Sequence, residues 1–257
     1  MTGSWLRRYR PAERPALRLV CFPHAGGSAQ FYRPWALRLP PAVEVVAVQY
    51  PGRAERAREE FCPDLRTLAV AVARALDTEL AGGTAPPLAL FGHSLGAAVA
   101  FEVALARSRR GDPPAHLLVS GRPEPTWPGR RHLADDDTLW ADACGLGGTP
   151  EELVDDPAVR AMALPPMRAD YRLSETYVGD EGATVDCPVT AYGGRDDPEV
   201  DPASMQAWAA RTTSSDFTLR VLPGDHFFLV PGREAVTADI LRRLARLLPD
   251  QPWPSTP

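Results

Sequence analysis

The sequence has 257 residues, of which 44% are hydrophobic and 24% are charged, an ordinary composition for a globular protein with a sizeable core. The sequence contains no lysine and no asparagine, and all 28 of its lysine-or-arginine residues are arginine. This excludes phosphate-loop nucleotidases, pyridoxal-phosphate enzymes with a Schiff-base lysine, and Ser-Lys or Cys-His-Asn hydrolases. The net charge of −5 argues against a nucleic-acid-binding protein, because phosphate binding requires a basic face.

No apolar run approaches the roughly 18 residues of a membrane span, and the first ten residues carry arginines instead of a secretory apolar core. We therefore expect a cytoplasmic protein with no membrane contact. The four cysteines are far apart and show no CxxC spacing, which favours buried reduced thiols over a disulfide framework or a zinc site. They are Cys21, Cys62, Cys144 and Cys187. We expect no metal and no cofactor.

Short apolar runs alternate with helical patterns along the chain. Several runs are apolar at successive positions, as expected when both faces of a sheet are covered. The predicted strands are 17–22, 43–48, 88–91, 116–120, 188–192 and 217–222, and the predicted helices are 31–39, 65–80, 95–109, 203–210 and 235–248. This alternation predicts an α/β fold with a mostly parallel central sheet flanked by helices.

Residues 123–182 interrupt the alternation. They contain no convincing strand, only amphipathic segments at 135–144, 151–164 and 167–177 that are separated by proline and glycine. A stretch of about 60 residues is too long for a structureless loop in a compact domain, so we predict a helical insertion over the sheet. We expect a single domain over 1–257, no internal repeats, and a disordered Pro-rich tail at 249–257.

The pentapeptide at 92–96 reads GHSLG, a G-x-S-x-G pattern. Chance produces this pattern in about one chain of this length in ten, but here it joins a predicted strand to a predicted helix, as in a nucleophile elbow. The two glycines are expected where a Cβ would clash between helix and strand. Ser94 would project from the sheet at a helix N-terminus, where the Leu95 amide can bind an oxyanion. The alternative is a glycine-rich turn with a capping serine.

A serine hydroxyl needs a general base to become a nucleophile. The candidates are His24, His93, His116, His132 and His226. Only His226 follows a late predicted strand in a loop, PGDHFF, that can bring it above Ser94. We predict that His226 is the base; the alternative is a structural loop histidine.

The orienting acid should lie between the serine and the histidine in the chain. The predicted strand 188–192 runs into the sequence GGRDDPEV at 193–200, a Gly-rich bend at the carboxyl edge of the sheet. We predict Asp197, because it fits the pattern G-x-x-D-P-x-V and Pro198 stiffens the loop. Asp196 remains an alternative. Asp225 is a poorer candidate, because a residue adjacent to His226 usually points away from its ring.

The second oxyanion donor should come from the turn after an early strand. The strand 17–22 leads into the small residues PHAGGS at 23–28, where the backbone can approach a substrate carbonyl. We predict that the amide of Ala25 acts with that of Leu95. The alternative is a tight turn selected for packing alone.

Five segments together resemble the type II (editing) thioesterases that accompany modular polyketide and nonribosomal peptide synthetases, which belong to the α/β-hydrolase superfamily. The segments are FPHAGGS at 22–28, QYPGRAER at 49–56, GHSLG at 92–96, LPPMRADY at 164–171 and GDHF at 224–227. The likeness extends over nearly the whole chain, and the first and fourth segments are far more specific than the elbow.

The resemblance implies hydrolysis of acyl groups from the phosphopantetheine arm of an acyl or peptidyl carrier protein, through an acyl-enzyme, to clear stalled modules. It also implies that the insertion is a lid that shapes the acyl chamber. We expect the lid and the Arg53 loop to flank the entrance. We hypothesise that Arg53, Arg56 and Arg58 contact an acidic carrier protein.

Other functions are compatible with the same motifs. A generic carboxylesterase or lipase-like hydrolase would share the three catalytic residues, and a non-catalytic α/β-hydrolase-like binding protein would share the fold. A thioesterase domain excised from a synthetase is a further alternative. The short distance from Met1 to the first strand favours a free-standing protein, which we expect to be a monomer.

Overall fold

A computed structural model of the protein describes residues 3–81, 85–149 and 151–248. Within these residues a seven-stranded sheet has the order β1-β3-β2-β4-β5-β6-β7. The strands are β1 Leu6–Arg7, β2 Leu17–Phe22, β3 Val43–Val48, β4 Leu88–His93, β5 His116–Ser120, β6 Val189–Gly194 and β7 Phe217–Leu222. Neighbouring strands are parallel, except that β1 is antiparallel to β3. The predicted disordered tail at 249–257 lies outside the described residues.

Helices cover both faces of the sheet. The α-helices are α1 Arg33–Arg38, α2 Leu65–Glu79, α3 Leu95–Ser108, α4 Asp136–Gly145, α5 Glu151–Val154, α6 Pro157–Thr176 and α7 Arg233–Leu244. The 3-10 helices are Ala29–Tyr32, Ala54–Arg56, Arg131–Leu133, Pro202–Arg211 and Ala245–Leu247. One apolar core joins the sheet to α2 and α3, and a second joins the opposite face to α1 and α7. Among the described residues, no helix has both the length and the apolar character needed to cross a bilayer.

The predicted alternation of strands and helices is confirmed. All six predicted strands are present, and four of them have the predicted bounds. The segment predicted to be a helix at 203–210 forms a 3-10 helix instead of an α-helix. The strand β1 was not predicted, because its two residues are too few to show a strand pattern.

Buried strands explain the continuous apolar runs. All six positions of β3 are buried, including the charged Glu44. Its carboxylate accepts hydrogen bonds from Arg8, Arg18 and the Ala12 amide. A carboxylate can be buried at this position because these donors replace the water it loses.

The described part of 123–182 contains a 3-10 helix, α4, α5 and α6, and no strand. The predicted break between two helical segments near Pro165 is wrong, because α6 continues through Pro165 and Pro166. Each proline removes one backbone hydrogen bond. The buried side chains of Leu164, Met167 and Leu173 hold the helix together across this point, so tertiary packing overrides the local preference.

Buried His116 gives a pH-dependent stability. Burial lowers its pKa to about 4, while the unfolded chain has the ordinary value of about 6.5. Between these values the unfolded state binds one more proton, so stability falls as the pH falls, by about 1.4 kcal/mol per pH unit from this group. His116→Gln, which can still bond Thr190, should lose less stability on acidification from pH 6.5 to 4.5 in urea denaturation. Equal losses in both proteins would contradict this assignment.

Candidate active site

The predicted site residues all follow carboxyl ends of parallel strands. Ser94 comes directly after β4, Asp197 follows β6, His226 follows β7, and Ala25 follows β2. Parallel strands end at the same edge of a sheet, so these four residues lie at one edge.

Ser94 occupies a strained turn between β4 and α3. Its φ of 53° and ψ of −116° place it among only two non-glycine residues of the described chain with positive φ. A Cβ at Gly92 would lie 2.1 Å from the Gly96 carbonyl oxygen, and a Cβ at Gly96 would lie 2.1 Å from that of Phe22. The expected steric reason for both glycines is therefore confirmed: α3 lies in direct backbone contact with the ends of β2 and β4.

His226 and Asp197 form a buried pair. The His226 Nδ1 lies 2.8 Å from Asp197 Oδ2, and the two side chains are 2% and 0% exposed. The other carboxylate oxygen, Oδ1, accepts the backbone N–H groups of Glu199 at 2.9 Å and Val200 at 3.2 Å. If Nδ1 carries the proton, it donates to this carboxylate, and in that tautomer the neutral ring has no proton on Nε2. Asp196, the alternative acid, is exposed.

The His226 ring lies beside the elbow. Its centroid is 5.0 Å from that of His93, the residue before Ser94. A Cβ at Gly121, whose φ is +58°, would lie 3.2 Å from His226 Cε1 and 2.6 Å from His93 Cε1, so only a glycine allows this approach.

Two further histidines lie near His226 and stay neutral. Burial, reinforced by His226, lowers the pKa of His93 well below its usual value and that of His24 to about 3. The Nδ1 of His93 is 3.0 Å from the Ser120 hydroxyl, whereas His24 packs edge-on against Phe31 and Phe227. Neither ring adds a positive charge next to His226 at neutral pH.

Ser94 and Ala25 line a cavity of about 330 Å³. Its other walls come from residues 127–131, from α6, and from Pro198 and Glu199 beside the Asp197 loop. Arg131 forms an ion pair with Glu199 and lies 5.7 Å from the centre of the Tyr171 ring. Thus the insertion forms much of the wall, and an ion pair joins it to the segment that carries Asp197. Arg131, Tyr171 and Glu199 were not predicted to line the cavity, because their spacing in the sequence does not show which side chains face a common space.

The amides of Ala25 and Leu95 are available as donors. Neither donates to a protein acceptor within the described residues, and Leu95 is the first residue of α3. The next amide along the first loop, that of Gly26, donates to Asp170 Oδ2 at 2.8 Å. The predicted pair of oxyanion donors thus remains compatible with the local hydrogen bonding.

The hypothesis that Arg53 and Arg56 contact a carrier protein is wrong. Both side chains are buried, 7% and 2% exposed, and only Arg58 of the three is exposed. Arg53 pairs with Asp170: burial by itself lowers its pKa, but the carboxylate raises the pKa above its usual value. Arg56 donates to the Gln49 carbonyl and covers the ring of Trp5. A strong internal acceptor outcompetes water for these guanidinium groups.

The Arg53 loop, residues 49–58, contributes no wall to the described cavity, whereas the insertion does. The loop instead packs beneath the backbone that carries Ala25, as its contact with the Gly27 carbonyl shows.

The sheet order and the strand-turn-helix around Ser94 define an α/β-hydrolase fold. Residues 17–244 match the family model described as a thioesterase domain. The chain therefore belongs to the thioesterase family, and it is a hydrolase of thioesters.

Several relatives are similar over most of this chain. The chain is 43% identical over 244 residues to a probable cadicidin biosynthesis thioesterase of Streptomyces griseus. The aligned region covers 94% of this chain and 66% of that protein. The chain is 41% identical over 231 residues to thioesterase PikA5 of Streptomyces venezuelae, covering 89% and 81% respectively. The structure of BorB, a type II thioesterase from the borrelidin cluster, superposes with a TM-score of 0.85 at 41% identity, covering 95% of this chain and 99% of that one. The predicted resemblance to type II thioesterases is confirmed.

The glycine contacts at the elbow give a test of its packing. Gly96→Ala should destabilise the protein by at least about 2 kcal/mol and lower thioester hydrolysis at least tenfold, because its Cβ pushes α3 away from β2. Thermal unfolding and steady-state kinetics measure both effects. Gly145→Ala is the matched control, since a Cβ there meets no atom within 4 Å. A fully active, stable Gly96→Ala protein would show that the close approach is unnecessary.

Proposed function

We propose that this thioesterase hydrolyses acyl groups from the phosphopantetheine arm of acyl or peptidyl carrier proteins in a polyketide or nonribosomal peptide pathway. The hydrogen bond of 2.8 Å between His226 and Asp197, at the sheet edge that also carries Ser94, is the observation that supports serine-based chemistry. The names of the relatives, which include biosynthetic thioesterases of two Streptomyces species, support the pathway class.

In the first step His226 Nε2 takes the Ser94 proton as Oγ attacks the thioester carbonyl carbon. The carbonyl electron pair moves to oxygen, and the tetrahedral oxyanion accepts hydrogen bonds from the Ala25 and Leu95 amides. The carbon–sulfur bond then breaks, the His226 imidazolium gives its proton to the departing sulfur, and pantetheine leaves as a thiol. A thiolate is a good leaving group, so acid assistance matters less than in amide cleavage.

In the second step water replaces the thiol. His226 takes a proton from the water as its oxygen attacks the acyl-enzyme, and a second oxyanion forms at the same amides. Collapse of this intermediate breaks the bond to Ser94 Oγ, returns the proton to it, and releases the carboxylic acid. Asp197 keeps its negative charge throughout and stabilises the imidazolium.

The helical insertion acts in this proposal as a lid over the acyl group. The cavity walls formed by Trp127 and Tyr171 support such a role, since both residues belong to the insertion and line the same space as Ser94.

The proposal is tested with carrier proteins loaded with acyl groups from acetyl to long-chain and followed by mass spectrometry. The wild-type protein should remove short acyl groups, and Ser94→Ala should remove none, because the nucleophile is lost. Preference for simple oxyesters over carrier thioesters would indicate a generic esterase instead. Unchanged hydrolysis by Ser94→Ala would refute the proposed mechanism.

The two adjacent aspartates provide a matched test of the acid. Asp197→Asn should lower kcat by about 10⁴-fold, because an amide no longer holds the imidazole in the required tautomer or stabilises its charge. Asp196→Asn removes the same functional group one position away, at an exposed side chain, and should retain kcat within about twofold. Comparable losses in the two variants would rule out the assignment of Asp197.

A further inference from the structure

The loop at residues 23–28, here called the oxyanion loop, is held at its two ends by side chains from the segment 49–53. The Tyr50 hydroxyl donates to the Pro23 carbonyl at 3.2 Å. Gln49 Oε1 accepts the Ala29 amide at 3.1 Å, just beyond the loop. These residues belong to the second of the five segments that carry the family resemblance, and the chemical steps above give them no role.

The centre of the oxyanion loop is held by a buried ion pair. Arg53 Nη1 donates to the Gly27 carbonyl at 3.1 Å, and the same guanidinium binds both carboxylate oxygens of Asp170, one of them at 2.8 Å. Asp170 Oδ2 also accepts the Gly26 amide at 2.8 Å. Asp170 lies on α6, within the fourth family segment, so this pair links three segments that are distant in sequence.

These contacts constrain the backbone on both sides of the Ala25 amide. The bond to Tyr50 fixes the peptide that precedes His24, and the bond to Asp170 fixes the peptide that follows Ala25. Gly26 has a φ of +75°, a backbone conformation that favours glycine. The peptide that carries the Ala25 N–H therefore lies close to two peptide groups that are held by the side chains of Tyr50 and Asp170.

A purely stabilising role does not account for this arrangement. Desolvation offsets most of the attraction between two buried charges, and apolar residues of similar volume often replace such a pair without loss of stability. What apolar residues cannot do is accept the Gly26 amide and donate to the Gly27 carbonyl. The polar atoms are thus directed at the loop as well as at each other.

We propose that Asp170 and Arg53 are positioning residues for the oxyanion hole, which orient the Ala25 amide toward the substrate carbonyl. This inference rests on the proposed function, because it assumes that Ala25 donates to the oxyanion. Neither side chain touches the substrate; both act through the backbone of the oxyanion loop.

The test is the charge-neutral double variant Arg53→Met with Asp170→Leu. Loss of one oxyanion donor lowers kcat by about 10²–10³-fold, and a misdirected donor should cost about 10–100-fold, with KM within about threefold of the wild-type value. Affinity for an alkyl trifluoromethyl ketone should fall by a similar factor, since Ser94 converts this ketone to a hemiketal oxyanion. Binding of the carboxylic acid product should change little.

Glu44→Gln is the matched control. Glu44 is a buried carboxylate that also accepts from arginines and from one backbone amide, that of Ala12, but it lies near the amino end of β3. Its substitution should affect thermal stability without changing kcat or ketone affinity. Asp170→Asn, which keeps an acceptor oxygen for Gly26, should lose less kcat than the double variant, about 3–10-fold.

Two results would overturn the inference. One is a folded double variant with wild-type kcat and ketone affinity; the other is a loss of kcat without a parallel loss of ketone affinity. If the double variant does not fold, Asp170→Asn decides by the same two criteria. The Ser94→Ala variant separates this inference from the proposed function. If Ser94→Ala still hydrolyses thioesters, the proposed function fails. If Ser94→Ala is inactive and the double variant is fully active, only the positioning role fails.

Discussion

The backbone contact between α3 and the ends of β2 and β4 is the constraint on which the site depends. Gly92 and Gly96 allow it, because any Cβ at either position would lie 2.1 Å from a carbonyl oxygen. Ser94 lies at this approach with a positive φ, and the start of α3 lies next to the loop after β2. Ser94, at the start of α3, and Ala25, in the loop after β2, therefore line the same cavity.

Buried charge serves the site in two different ways. Asp197 Oδ2 lies 2.8 Å from His226 Nδ1, while its Oδ1 accepts the backbone N–H groups of Glu199 and Val200. Asp170 is neutralised by Arg53, and its remaining acceptor capacity is directed at the Gly26 amide. The rings of His24 and His93, which lie near His226, add no charge at neutral pH, because burial lowers the pKa of each.

Some features of the fold could be predicted from short stretches of sequence, and others could not. The bounds of β2 and β3 follow from runs that are apolar except for one charged residue each, Arg18 and Glu44, because both faces of these strands are covered. The two prolines at 165 and 166 led to a wrong prediction. Proline usually ends a helix, but here tertiary packing keeps α6 continuous. The prediction that Arg53 and Arg56 lie at the surface was wrong for a related reason. The sequence does not reveal a buried partner, and the partner of Arg53 is more than a hundred residues away.

The sequence by itself determined the order of strands and helices, the elbow around Ser94 and the family resemblance, because these depend on contiguous residues and on steric rules that act over a few positions. The tertiary structure alone decided that Asp197 and not Asp196 meets His226, that Arg53 joins Asp170, and that Arg131 and Glu199 close the cavity wall. These pairings depend on the relative positions of distant strand ends and helices. Such positions are set by the packing of the whole sheet, which no short segment encodes.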